Sequence, residues 1–234
     1  MMATPPDQAL AADLRASVPL RYRAAGRFAR HYVASKLRHD PLLPALLRLA
    51  QVEHFGDIVD VGCGRGQFSA ALLQAGLARA AIGLDCRATF LAQARHAMGD
   101  LPFQARMRDL SANPHVPDGD TILLIDILYQ LETSAQHALL LGAAAACRKR
   151  LIIRTADPNS GVRSTVTRWL ERAGRRIWPH AGATVNARGI GEITETISSR
   201  GFVCSVTPCW FGTVFSNVLI VAERKRREEE RLLF

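Results

Sequence analysis

Three glycines at alternate positions, Gly62, Gly64 and Gly66, close the apolar stretch Ile58-Val59-Asp60-Val61, and Asp85 stands nineteen residues beyond the last of them. These residue types suit a ligand lying across the carboxyl ends of parallel strands. Glycine permits left-handed turns and close backbone approach, and a following helix offers free N–H groups. A dinucleotide fingerprint, G-x-G-x-x-G, would need glycine at position 67, where Gln67 stands. Asp60 lies at the base of the turn, placed to hold the loop and to attract an ammonium group directly or through water. Asp85 can accept hydrogen bonds from both hydroxyls of a ribose. Asp109 is placed where an acid could meet an adenine amine. Cys63 contributes backbone inside the loop, and Cys86 follows Asp85 at the same strand tip.

The elements that would position these groups can be read from the hydropathy pattern. Asp57–Val61 predicts strand 1, with a helix after Gly66 turning Phe68, Leu72 and Leu73 inward. Ala80–Asp85 predicts strand 2, about 88–98 its helix, and about 103–108 strand 3. Residues 121–126 are apolar enough for a strand buried on both faces. A helix near 134–147 and strand 5 at 151–154 follow. Repeated βα units with short connections imply a parallel sheet covered by helices on both sides. Beyond strand 5 the pattern predicts a basic amphipathic helix at 162–177, a helix at 190–199 and a strand at 202–209. A turn at Phe211-Gly212-Thr213 then leads to a last, antiparallel strand at 215–222. Ahead of the sheet, helices at 7–17, about 21–38 and from Pro41 to about Val52 form an N-terminal cap. In the second of these, Leu20, Ala24, Phe28 and Tyr32 define one face. The expected division is a cap at 1–54, a nucleoside-binding domain at 55–223 and a charged tail at 224–234.

Composition narrows the class. Of the 234 residues, 48% are apolar, enough for a globular domain. No run of eighteen apolar residues predicts a membrane span, and the N-terminal stretch lacks an apolar signal core. The five cysteines form no CxxC pair and read as reduced thiols of a cytoplasmic protein. The net charge of +9 is uneven. Residues 145–188 hold ten arginines and lysines against two acids, whereas 51–144 hold six against ten. Such a field would steer acidic partners to one region, although arginines on solvated faces would give the same count.

Residues 57–222 resemble the class I S-adenosylmethionine-dependent methyltransferases. Asp60–Gly66 are similar to the first motif of that family, Leu84-Asp85 to its ribose-binding acid, and Arg108-Asp109-Leu110 to its adenine-side motif. Ile122–Leu131 resembles the fourth-strand motif, whose end, here Asp126-Ile127, faces methyl donor and acceptor. The resemblance implies an α/β, Rossmann-like, seven-stranded, mostly parallel sheet of order 3-2-1-4-5-7-6 with its last strand antiparallel. It implies S-adenosyl-L-methionine as cofactor. Three segments, 22–33, 125–129 and 211–219, are similar to small methyltransferases of bacterial aryl-polyene and xanthomonadin-type pigment clusters. Those relatives usually carry histidine where Tyr129 stands. This narrower resemblance implies a small aromatic acceptor, free or bound to a carrier protein.

Methyl transfer needs a nucleophile held in line in a dry pocket, and a neutral acceptor must also lose a proton. Tyr129 follows strand 4 closely enough to touch the acceptor or the sulfonium, or it packs under the cap. His31 and His180 are proton-acceptor candidates. Tyr22 and Tyr32 could close over the cofactor, with Arg23 or Arg27 reaching its carboxylate; the alternative for Phe28 and Tyr32 is a packing stripe. A metal-assisted route would need an acidic cluster near strands 4 and 5. Asp126 and Asp157 lack an evident third ligand, so no metal is expected. The arginines between Arg163 and Arg176 could dock an acidic acyl carrier protein, nucleic-acid phosphates or an anionic membrane surface. No N-P-P-Y-type motif follows strand 4, which counts against amino methylation of nucleobases. An RNA methyltransferase and a non-catalytic S-adenosylmethionine-fold binding protein remain the alternatives.

Overall fold

The computed structural model describes residues 6–158, 186–210 and 216–225. Seven strands form one sheet of order β3-β2-β1-β4-β5-β7-β6. They are β1 (Asp57–Val61), β2 (Ala80–Asp85), β3 (Phe103–Met107), β4 (Gly119–Ile125), β5 (Cys147–Ala156), β6 (Phe202–Pro208) and β7 (Asn217–Arg224). β1 and β2, β2 and β3, and β4 and β5 pair in parallel, whereas β7 runs antiparallel to both β5 and β6. The order and the reversed last strand agree with the expected Rossmann-like architecture. The residues fall into two compact units, 6–108 and the described part of 109–225.

In the first unit, α1 (Pro6–Arg21), α2 (Arg27–His39) and α3 (Leu42–Val52) precede β1, and α4 (Gln67–Gln74) and α5 (Ala88–Met98) follow β1 and β2. α1 packs on α2, α3, α4 and α5. The sequence pattern ends the first helix at 17, before Pro19. The helix continues to Arg21 because Leu14, Val18 and Tyr22, one row at i, i+4 and i+8, are all buried and hold the last turn. The second helix begins later than expected, at Arg27, because Gly26 carries φ +98, which breaks the ladder. Its buried face is Ala29, Val33 and Leu37. The expected stripe is therefore corrected: Leu20, Phe28 and Tyr32 are exposed. β3 alternates half-buried and exposed residues, with Gln104 and Arg106 on the open side, which suits a sheet edge.

In the second unit, Ile122, Leu123 and Leu124 of β4 and Leu151, Ile152 and Ile153 of β5 are fully buried. α6 (Thr133–Ala146) and α7 (Ile190–Ser198) pack on each other, and α7 also packs on β6 and β7. β5 starts four residues before the expected 151, because Arg148, Lys149 and Arg150 are strand residues despite their charge. Arg148 Nε bonds Asp120 Oδ1 at 2.9 Å. β7 runs on to Arg224, whose guanidinium lies over the Phe202 ring and donates to the Ala144 and Cys147 carbonyls. The expected helix at 162–177, the turn at 211–213 and residues 226–234 of the tail lie outside the described residues.

Candidate functional site

The first unit builds its site from the glycine turn between β1 and α4. Gly62, Gly64 and Gly66 have φ of 77, 56 and 72, all left-handed, where a side chain would be strained. The Gly62 and Cys63 amides donate to the Leu84 carbonyl at 2.8 and 2.9 Å, which ties the turn to the end of β2. A Cβ on Gly66 would stand 2.9 Å from Met98 Cε. Gly83, in β2, is as constrained, since a Cβ there would stand 2.5 Å from Phe103 Cζ and 2.8 Å from Cys63 Sγ. Sequence reasoning did not single it out, because one glycine inside a strand carries no spacing signal.

Asp85 is buried and organises the turn. Its Oδ2 accepts the Gly64 amide at 2.9 Å and its Oδ1 the Arg87 amide at 2.9 Å. Oδ2 can accept a further bond, whereas the second lone pair of Oδ1 takes a long bond from Arg87 Nε, so a diol fits once that arginine side chain yields. Arg87 Nε lies 3.4 Å from the same Oδ1. Cys86 beside it is exposed.

Asp60 is buried at the base of the turn, where Ser69 Oγ donates to its Oδ2 at 2.6 Å. Burial pushes its carboxyl up to about 6; the Ser69 bond opposes the shift, and the like charge of Asp85 adds to it. Gln67, the first residue of α4, is also buried, and its Oε1 accepts no hydrogen bond. A buried carboxylate facing a like charge and an orphaned buried carbonyl oxygen, one on either side of the turn's glycines, both suit a cationic donor. Sequence reasoning used Gln67 only as a missing glycine. Cys63 is buried beside them, and desolvation holds its thiol well above the usual range, which makes it inert.

Tyr22 is fully buried, and its hydroxyl donates to the carbonyl of Arg65 in the turn at 2.7 Å. Burial drives its phenol well above the usual range, so it stays protonated as that donor. Arg65 itself is buried, with Nε donating to Gln93 Oε1 at 2.8 Å. Its guanidinium lies over three rings, at 5.6 Å from Phe28, 4.6 Å from Tyr32 and 4.0 Å from Phe90. Tyr32 therefore sits beside the turn's own arginine. Arg27 and His31 are exposed on α2.

Within the second unit, the end of β4 is the most constrained stretch of backbone. Asp126 has φ 58, the single left-handed non-glycine among the described residues. Its carboxylate is gripped by Arg154 of β5: Nε donates to Oδ1 at 2.8 Å and Nη2 to Oδ2. The Asp126 amide donates to the Arg154 carbonyl at 3.0 Å, and Gln130 Nε2 donates to the Asp126 carbonyl at 2.5 Å. Arg154 is buried, so the pair fixes a strained backbone. Ile127 and Tyr129 follow, both half-buried. Tyr129 lies in the 3-10 turn Leu128–Gln130, and its carbonyl accepts the Asn186 amide at 2.9 Å. Leu110 is buried; Asp109 is exposed and accepts the Ser111 hydroxyl and amide, which hold its carboxyl below the usual range. His180 lies outside the described residues.

Residues 58–150 match the family model of a methyltransferase domain. No curated protein matches the chain. Among solved structures, magnesium protoporphyrin IX methyltransferase from Synechocystis PCC 6803 with bound SAH is similar at 19% identity and a TM-score of 0.63, covering 88% of this chain and 93% of that one. An S-adenosylmethionine-dependent methyltransferase from Mesorhizobium loti is similar at 21% identity and 0.60, covering 79% and 98%. An O-methyltransferase family protein from Burkholderia thailandensis is similar at 15% identity and 0.60, covering 94% and 70%. At these identities the likeness is one of fold, and the fold is that of the class I methyltransferases.

Proposed function

We propose that the protein is an S-adenosylmethionine-dependent methyltransferase acting on a small aromatic acceptor, free or carried on an acyl carrier protein. The observation that carries this reading is the Asp60–glycine turn–Asp85 constellation. Asp85 has acceptor sites for both ribose hydroxyls once the 3.4 Å bond from Arg87 Nε gives way. Asp60 and Gln67 are buried acceptors suited to the cofactor's ammonium. When bound, S-adenosylmethionine supplies an electrophilic methyl group on its sulfonium. The left-handed glycines let the backbone lie close to the ligand without side chains intervening. Asp109 and Leu110 would serve the adenine side, and Asp126, Ile127 and Tyr129 the reacting end. The Arg154 grip on Asp126 keeps that strand end in one geometry, which is how positioning lowers the barrier. His31 and His180 remain the candidates for accepting the acceptor's proton.

Support for an aromatic acceptor comes from the sequence similarity to pigment-cluster methyltransferases over 22–33 and 125–129. Support for a carrier comes from the arginines between Arg163 and Arg176. The test is transfer of labelled methyl from S-adenosylmethionine to phenolic acids, offered free and as carrier thioesters, with an RNA pool as comparison. Labelling of the aromatic acceptors is the expected result. Labelling of RNA alone would replace this reading with RNA methylation, and no labelling of any acceptor by a protein that binds the cofactor would favour a binding protein.

A further inference from the structure

α2 carries two rows of apolar side chains, and only one is explained by packing. Ala29, Val33 and Leu37 form its buried face. Phe28 and Tyr32, the neighbouring row, are 56% and 39% exposed. Exposed aromatic rings four residues apart contribute little to a core, yet both lie against the guanidinium of Arg65. Phe90 of α5 lies against the same group, and Gln93, one turn further along α5, accepts from its Nε.

Arg65 sits between Gly64 and Gly66, so its backbone is the cofactor turn itself. A residue with left-handed glycines on both sides has little steric restraint of its own on where the turn lies. The Leu84 carbonyl and Asp85 hold the turn from the β2 side; on the other side it is held by the Arg65 side chain, through α2 and α5, and by the Arg65 carbonyl, which accepts from Tyr22 just after α1. Burial of a guanidinium disfavours its charge, and the ring faces of Phe28, Tyr32 and Phe90 offset that cost. The direction of this link matters. What steadies the turn also steadies the anchor under α2, and loosening α2 removes one of the turn's holds.

We propose that Arg65 is a positioning residue that couples α2 to the glycine turn, so that α2 and a cofactor held by the turn order each other. This deepens the cofactor reading given above and rests on it for its ligand. Reciprocity follows from linkage: if cofactor steadies α2, a steadied α2 raises affinity for cofactor by the same factor. Neither Phe28 nor Tyr32 needs to touch the ligand.

Amide hydrogen exchange of the full chain tests the coupling. Without ligand, Arg65→Met should speed exchange across 27–39 by about two- to thirtyfold, the span expected from exposed to desolvated cation–π contacts. Exchange in β1 should stay as in wild type. Tyr32→Leu, which leaves the turn's own residues intact, should produce part of the same acceleration even if Arg65→Met folds poorly. The double variant should gain less than the product of the two single effects, as residues in one contact do. S-adenosylhomocysteine should slow exchange across 27–39 in wild type and much less in Arg65→Met. Unchanged exchange at 27–39 in both single variants, multiplicative effects in the double variant, or equal slowing by ligand in wild type and Arg65→Met would each overturn the coupling. If wild type does not bind S-adenosylhomocysteine, the cofactor reading fails, and the ligand-free comparison still decides whether Arg65 anchors α2.

Discussion

Replacing Asp60 with asparagine should stabilise the ligand-free protein at neutral pH. The carboxyl rises from 3.8 to about 6 on folding because burial disfavours its charge. A rise of that size corresponds to about 3 kcal/mol. The sign follows from proton binding. The folded chain holds the Asp60 proton more tightly than the unfolded chain, so the group favours folding fully below pH 3.8. That contribution is lost as pH rises through about 6, above which the buried negative charge stands against the fold. The asparagine would keep an acceptor for Ser69 Oγ without the charge. Urea unfolding of wild type and Asp60→Asn between about pH 4.5 and pH 8 isolates the effect, because the other titrating groups cancel in the difference. The variant should be the more stable by up to about 3 kcal/mol at the alkaline end, with the gap closing as pH falls toward the acid end. Saturating S-adenosylhomocysteine should shrink the gap at the alkaline end, since its ammonium compensates the carboxylate. A variant less stable than wild type by a constant amount at every pH would show that burial does not raise the Asp60 carboxyl and would make Asp60 a hydrogen-bonding residue alone.

Other substitutions probe the remaining parts. Asp85→Ala should weaken S-adenosylhomocysteine binding by about 1–3 kcal/mol through loss of charge-assisted bonds, read by calorimetry. Gly66→Ala should destabilise the fold by about 1–2 kcal/mol, from its left-handed backbone, with the Met98 methyl shifting to admit the Cβ, read by urea unfolding. Arg154→Met should cost about 3 kcal/mol in the same assay by taking the two-pronged grip from the Asp126 carboxylate, with Arg154→Lys recovering only part because it lacks that geometry.

Much of the architecture was legible because strong local signals agreed with the tertiary outcome. β1, β2 and α5 fall where the apolar runs and turns put them, and the sheet order followed once the Asp60–Gly66 and Asp85 pattern was recognised. The misses have physical causes. The stripe through Leu20, Phe28 and Tyr32 looked like a packing face because helical spacing records adjacency on a helix, not burial. Gly26 breaks that row, and the neighbouring one is buried instead. Charge at 148–150 hid the start of β5, where tertiary pairing overrides composition. Arg154 passed as the end of an apolar strand. An arginine within such a run is a signal in itself, since a buried guanidinium needs a partner, but the partner, Asp126, is 28 residues away in sequence. Arg65 carries no signal of its own between two glycines, because its three rings come from α2 and α5. The acids of the turn could be read from order and spacing. The groups that hold the turn in place could not, because they meet only through folding.

The glycine turn and its two acids are proposed to hold an adenosyl sulfonium cofactor and not a dinucleotide. Calorimetric titration of S-adenosylmethionine and S-adenosylhomocysteine into the wild-type protein, with NAD as control, tests it most directly. Saturable binding of the adenosyl pair and none of NAD is the expected result. Binding of NAD, or heat from neither adenosyl ligand at millimolar concentration, would contradict it.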